Sequence, residues 1–252
     1  MPSDVRWGIV SPFVSDLVFF SVAGAAVLLG ALVQSSVGTG LALVAAPVVS
    51  LLDPTLMPGS LLVLTAVLPL LNIGAEWRHA DVRGISWALV GRLVGTAAGV
   101  GVVALLAPRA LGLIVGVMVL LAVAATVSAV RLSPTPVTLV VAGTVSGVFG
   151  TATAIGGPPI ALVYQHEKGP RVRATLAGFF FVGVLLSLTA LALGGQLHAR
   201  EVVVGGALIP FMAAGFLLSR PLRRYLDGDR LRAALLVLVS VSGVVLIARS
   251  LL

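Results

Sequence analysis

Ser35-Ser36-Val37-Gly38-Thr39-Gly40, followed by Pro47, is answered later in the chain by Gly147-Val148-Phe149-Gly150-Thr151-Ala152, followed by Pro159. In each copy a Gly-Thr pair stands nine positions before the proline, inside an apolar stretch that would otherwise read as one long membrane helix. Segments interrupted by Gly and Pro at matching positions of two halves point to the binding site of a transporter. A shift of 112 positions carries Gly38 to Gly150, Thr39 to Thr151, Pro47 to Pro159 and Pro58 to Pro170. Later in each half, Ala97-Ala98-Gly99 resembles Ala213-Ala214-Gly215 after a small insertion. Apolar Gly/Ala-rich helices can look alike without common descent, but an ordered series of matches supports a duplication.

Composition sets the class. The 252 residues are 59% hydrophobic and 10% charged, where a soluble domain would carry about a quarter charged residues. The expected fold is therefore an all-α polytopic membrane protein. Residues 1–16 hold Asp4, Arg6 and Asp16 and lack a short apolar core ending at a small-residue cleavage site, so no cleavable signal peptide is expected. The absence of Cys removes disulfides, thiolate metal sites and Cys nucleophiles. The net charge of +7 is read as cytoplasmic loop charge, with no nucleic acid as partner. No His-Glu-x-x-His pair, Gly-x-Ser-x-Gly elbow or Walker motif occurs. No enzymatic activity, cofactor or metal is expected.

A spanning helix needs roughly 20 apolar residues. Ten apolar segments are legible: 16–37, 39–52, 58–76, 85–106 and 110–131, then 137–149, 151–165, 173–194, 201–219 and 231–250. Stretches of only about 14 residues suggest broken or re-entrant helices. The chain divides into repeats at 1–132 and 133–252, with the first pair of segments broken at 37–40 in one and at 150–151 in the other. The loops at 77–84, 131–136, 166–173 and 220–232 hold eleven of the sixteen cations. The opposite side holds four, Arg6, Arg109, Arg200 and Arg249, and Arg92 belongs to neither. The excess places those loops in the cytoplasm and both termini outside. Segment 58–76 then runs opposite to its counterpart 173–194, which makes the halves inverted repeats meeting at the midplane.

Irregular backbone at membrane depth must face protein or a wet cavity. Helices starting after the two breaks aim free N–H groups and a positive dipole end inward, toward an anion. Ser35, Ser36, Thr39, Thr151 and Thr153 add hydroxyls, Gln34 an amide, and Gly38, Gly40, Gly150, Gly156 and Gly157 close backbone approach. Pro47, Pro158 and Pro159 kink or stop the short helices. The competing reading is that small residues only pack helices tightly. Arg92 lies about eight residues into its segment, roughly 12 Å deep at 1.5 Å per residue. A charge at that depth is by default a functional candidate, and its guanidinium matches two oxygens of an oxyanion. Snorkelling, or pairing with Glu76, would be purely structural. Asn72, also deep, could bind substrate or a neighbouring helix.

Gly143-Thr144-Val145-Ser146-Gly147-Val148-Phe149-Gly150, then Gly156-Gly157-Pro158-Pro159, resembles the repeated Gly-rich motif of the TauE/SafE-type sulfite exporter family. The region 30–47 resembles its first copy. The likeness spans nearly the whole chain. It implies a multi-pass carrier of the bacterial inner membrane that exports a small sulfur-containing oxyanion, sulfite or an organosulfonate. The chain departs from the pattern where Gln34-Ser35-Ser36 and Thr151-Ala152-Thr153-Ala154 replace glycines. An anion channel of the same architecture, or a membrane scaffold that transports nothing, are the alternatives. A homodimer is one assembly such a chain could form.

Overall fold

A computed structural model describes residues 12–37, 39–127, 132–167, 169–226 and 229–251. They form eleven α-helices and no strand among the described residues. The first half contains α1 (Pro12–Val37), α2 (Leu41–Leu52), α3 (Gly59–Glu76), α4 (Val82–Leu105) and α5 (Pro108–Val127). The second contains α6 (Pro136–Thr153), α7 (Gly157–Tyr164), α8 (Gly169–Leu193), α9 (Ala199–Ala207), α10 (Ile209–Leu226) and α11 (Asp229–Leu251). Among the described residues, five stretches are long and apolar enough to cross a bilayer: Asp16–Ser35, Val82–Leu105, Pro136–Thr153, Gly169–Leu193 and Ala199–Ser219. The protein is an all-α polytopic membrane protein.

Two breaks differ from the sequence expectation, and prolines explain both. Gly150 and Thr151 sit inside α6, which continues to Thr153, and the chain leaves the helix at Ala154–Gly156. A proline lacks an N–H and collides with the carbonyl four residues earlier. Pro158 and Pro159 therefore forbid helix at 154 and 155, not at 150 and 151. Ala154 takes the left-handed conformation, with φ 62°. The ninth apolar segment is likewise two helices. α9 ends at Ala207, with Leu208 as its C-cap, and Pro210 stands in the first turn of α10.

The closest crossing is α4 on α6. A side chain at Gly91, Gly95 or Gly143 would run into the facing backbone at Val140, Thr144 or Ala88. Small residues let helix backbones approach where lipid offers no hydrophobic drive. In the same manner α10 crosses α1, with Gly215 against the Leu28 carbonyl, and α11 lies on α5 through Gly243 and Gly116. α3 packs on α8. The described core forms two apolar clusters. The larger gathers α1, α2 and α3 with Val115 and Val119 of α5, and the smaller gathers Ile85, Leu139, Ile160 and Phe179 around the start of α4.

Polar clasps tie helix starts together at two places. Before α4, Asp81 caps the Gly84 N–H (2.9 Å), accepts from the Tyr164 hydroxyl (3.0 Å) and pairs with Arg171 (3.2 Å). The Asp81 N–H donates to Thr175 of α8 (2.9 Å). At the start of α9, Glu201 accepts from the Gly59 N–H that opens α3 (3.2 Å) and from the His198 N–H (2.7 Å). Arg200 pairs with Asp53, after α2, at 2.8 Å.

Candidate functional site

The first break is held open by backbone geometry. Gly40 has φ 149° and would press a Cβ onto Val33, so a residue without a side chain belongs there. Gly40 caps α2 without a side chain, and Gln34 takes over that task by accepting the Leu41 N–H at 2.9 Å. The second break ends on Gly156 and Gly157. Thr153 closes it, donating to the Phe149 carbonyl (2.8 Å) and accepting from the Ile155 N–H (3.2 Å). The breaks meet: a Cβ on Gly157 would touch Thr39 at 3.2 Å.

Between them lies a small, partly open cavity. Gln34, Thr39, Gly40, Arg92, Gly150, Gly156, Gly157 and Pro158 stand in its wall, together with Leu62 and Thr65 of α3 and Phe180 and Val184 of α8. Arg92 is 1% exposed. One terminal nitrogen donates to the Ser146 hydroxyl (2.8 Å) and carbonyl (3.2 Å). The other donates to the Ser187 hydroxyl and the Gly183 carbonyl, both at 3.2 Å. Its carbon lies 5.3 Å from the centroid of the Phe179 ring, within cation–π range. Nε has no partner, and no carboxylate bonds this guanidinium among the described residues.

Glycines make room for that guanidinium. Added Cβ atoms on Gly150, Gly156 and Gly183 would come within 2.9, 2.8 and 2.7 Å of its nitrogens. Snorkelling is overturned, since the side chain is enclosed. The two-pronged fork expected for a ligand is largely engaged by protein oxygens. Other expected site residues stand back from the cavity wall. Ser35 is buried, with its hydroxyl on the Ala31 carbonyl at 2.7 Å. Thr151, fully buried, shares a hydrogen bond with Ser187 (2.8 Å) and so touches Arg92 only through that serine. Thr153 serves the break. Pro47 is buried inside α2, and Pro159 is in the first turn of α7. Gly38 and the side chains of Ser36, Asn72 and Glu76 lie outside the described residues. Sequence reasoning passed over Ser146, Gly183 and Ser187. The signal was there for the serines, which are hydroxyls inside otherwise apolar helices.

The expected ring of helix N–H donors is thinner than the motif implied. Pro158 and Pro159 remove two N–H groups from the first turn of α7, and Gln34 occupies that of Leu41 in α2. Positive charge at the cavity is thus carried by one side chain, Arg92, held on neutral oxygens.

The family model described as Sulfite exporter TauE/SafE matches residues 22–246. The chain belongs to the sulfite exporter TauE/SafE family. No curated protein and no solved structure matches it. The family is one of membrane transporters, in keeping with the apolar helices. Within this TauE/SafE chain the Gly-rich motif has two separate jobs. Gly143 and Gly147 pack α6 onto α4, while Gly150, Gly156 and Gly157 shape the guanidinium slot and the cavity.

Proposed function

We propose that the protein is a secondary carrier that exports a small sulfur-containing oxyanion, sulfite or an organosulfonate, across a bacterial inner membrane. The observation that carries this reading is Arg92: a guanidinium enclosed at membrane depth, in the wall of a cavity, with no carboxylate bonded to it among the described residues. Burying a charge is costly unless it is paired. Four neutral acceptors hold its two terminal nitrogens but leave Nε unpartnered and the charge to be met by an anion. The Gln34 amide and the Thr39 and Thr65 hydroxyls border the same space, and Leu43, Leu62, Phe180 and Val184 give it an apolar side suited to the body of a sulfonate. Substrate-binding roles are assigned to Arg92, Gln34, Thr39, Gly40, Gly156 and Gly157, and supporting roles to Gly150, Thr151 and Thr153.

Alternating access is assigned to rocking of repeats 1–132 and 133–252, inverted with respect to each other, with both termini outside. The exchange of packing partners supports this: α4 lies on α6 as α10 lies on α1, while α3 meets α8 and α5 meets α11. Purified protein challenged with sulfite, thiosulfate, sulfate, taurine and small carboxylates is expected to gain thermal stability with at least one sulfur oxyanion. Proteoliposomes are expected to exchange that anion saturably. Stabilisation by none of them, with no flux, overturns the carrier reading; an ohmic conductance without counterflow makes the protein a channel.

A further inference from the structure

We propose that Glu201 is a proton-binding site that couples transport to a pH gradient, a role that rests on the carrier reading above. Glu201 is 2% exposed. Its carboxylate accepts the N–H groups of Gly59 and His198, and its Oε2 lies 3.5 Å from His198 Nδ1. Neither lysine nor arginine pairs with it among the described residues. The neighbouring Arg200 turns instead to Asp53 and Thr55. A proton arriving at Glu201 therefore breaks no ion pair with a permanent cation. The clasp before α4 is built the other way, with Asp81 bonded to Arg171.

The titratable surroundings of Glu201 are few. Its own element supplies His198, whose side chain is 72% exposed, and Arg200. The turn after α2 supplies Asp53, itself held by Arg200. The described side chains of α3 (59–69) and α10 (209–219) include no titratable group. His198 thus gives a buried carboxylate one titratable neighbour at the exposed end of α9.

Protonation has a mechanical consequence because of where the carboxylate is anchored. A charged acceptor makes hydrogen bonds roughly twice as strong as a neutral one. Neutral Glu201 loosens its hold on Gly59, the first residue of α3, and Gly205 of α9 packs on the Ser60 backbone just beyond. One and two turns further along α3, Leu62 and Thr65 are cavity wall. The charge state of Glu201 therefore sets how firmly that wall is tied to α9.

The test uses Glu201→Gln in the full chain, in proteoliposomes with the membrane potential clamped. Wild-type protein is expected to accumulate sulfite or taurine, whichever it exchanges, by up to about tenfold per pH unit, the ratio that one proton per anion allows. The E201Q variant is expected to retain counterflow and lose the accumulation. Accumulation that persists in E201Q, or is absent from wild type, overturns the proposal. The cysteine-free chain allows a second readout that needs no transport. Ser60→Cys is alkylated in wild-type and E201Q backgrounds over a series of pH values. The ratio of the two rates is expected to approach one at the acid end and fall as pH rises. If no anion is carried at all, the carrier reading fails and this ratio alone decides: a pH-independent ratio overturns the proton site.

Discussion

Arg92 owes its position to residues that give way to it. Gly150, Gly156 and Gly183 leave a slot, and Ser146 and Ser187 line it with oxygens. Gly183→Ala is therefore expected to displace the guanidinium and weaken anion binding by about tenfold, roughly 1.4 kcal/mol, read by calorimetry or by the anion-induced thermal shift. Arg92→Ala is expected to abolish that shift. Arg92→Lys keeps a charge but loses the planar fork and should bind more weakly than wild type, not equally. Gln34 works on both sides of the cavity wall, since its oxygen caps α2. Gln34→Leu leaves the Leu41 N–H unsatisfied, at about 1–3 kcal/mol, and should lower the melting temperature even without ligand. At this scale the sequence revealed Arg92 through its charge alone. Its slot was not legible, because Gly183 and Ser187 lie 91 and 95 positions away and only folding brings them together.

At the scale of elements, the decisive contact is the α4–α6 crossing. Gly95 faces the Thr144 carbonyl and Gly147 faces the Gly95 backbone, while Arg92 projects from the same stretch of α4. The expected cost of Gly95→Ala is about 1–3 kcal/mol, that of overpacking a tight interface, and Gly95→Leu should prevent recovery of monodisperse protein on size-exclusion chromatography. The breaks follow a local rule that is legible once applied in register. Pro158 and Pro159 act four residues upstream, whereas Pro47 lies within α2 and the first break depends on the geometry of Gly40. The two motif copies look alike in sequence but interrupt their helices by different means.

Across the whole molecule the two proposed repeats differ in detail. α4 is continuous and carries Arg92, while the corresponding stretch of the second half is split at Leu208 into α9 and α10. The clasps differ as well. Burial pushes the Asp81 carboxyl up, but bonds from the Gly84 N–H, Tyr164 and Arg171 outweigh it and hold the group below its ordinary value of 3.8. A carboxyl depressed in the folded state stabilises above its ordinary value, and that contribution fades as pH falls through the lower, folded value. Asp81→Asn should therefore melt lower than wild type at neutral pH. The gap should close only below about pH 4 in a series of melts, where the wild-type carboxyl takes up its proton.

The sequence by itself determined that the chain is a helical membrane protein, roughly where most of its apolar helices lie, and that one cation sits too deep to be loop charge. Those properties are local: apolar length, proline and glycine geometry, and the cost of a charge in lipid act on neighbouring residues. Only the tertiary structure decided that Thr151 and Ser35 stand behind the cavity wall, that the glycines of the motif serve Arg92, and that Glu201 is a buried clasp on α3. Each of those depends on which face of one helix meets which face of another, and helix faces are matched by packing between segments far apart in the chain.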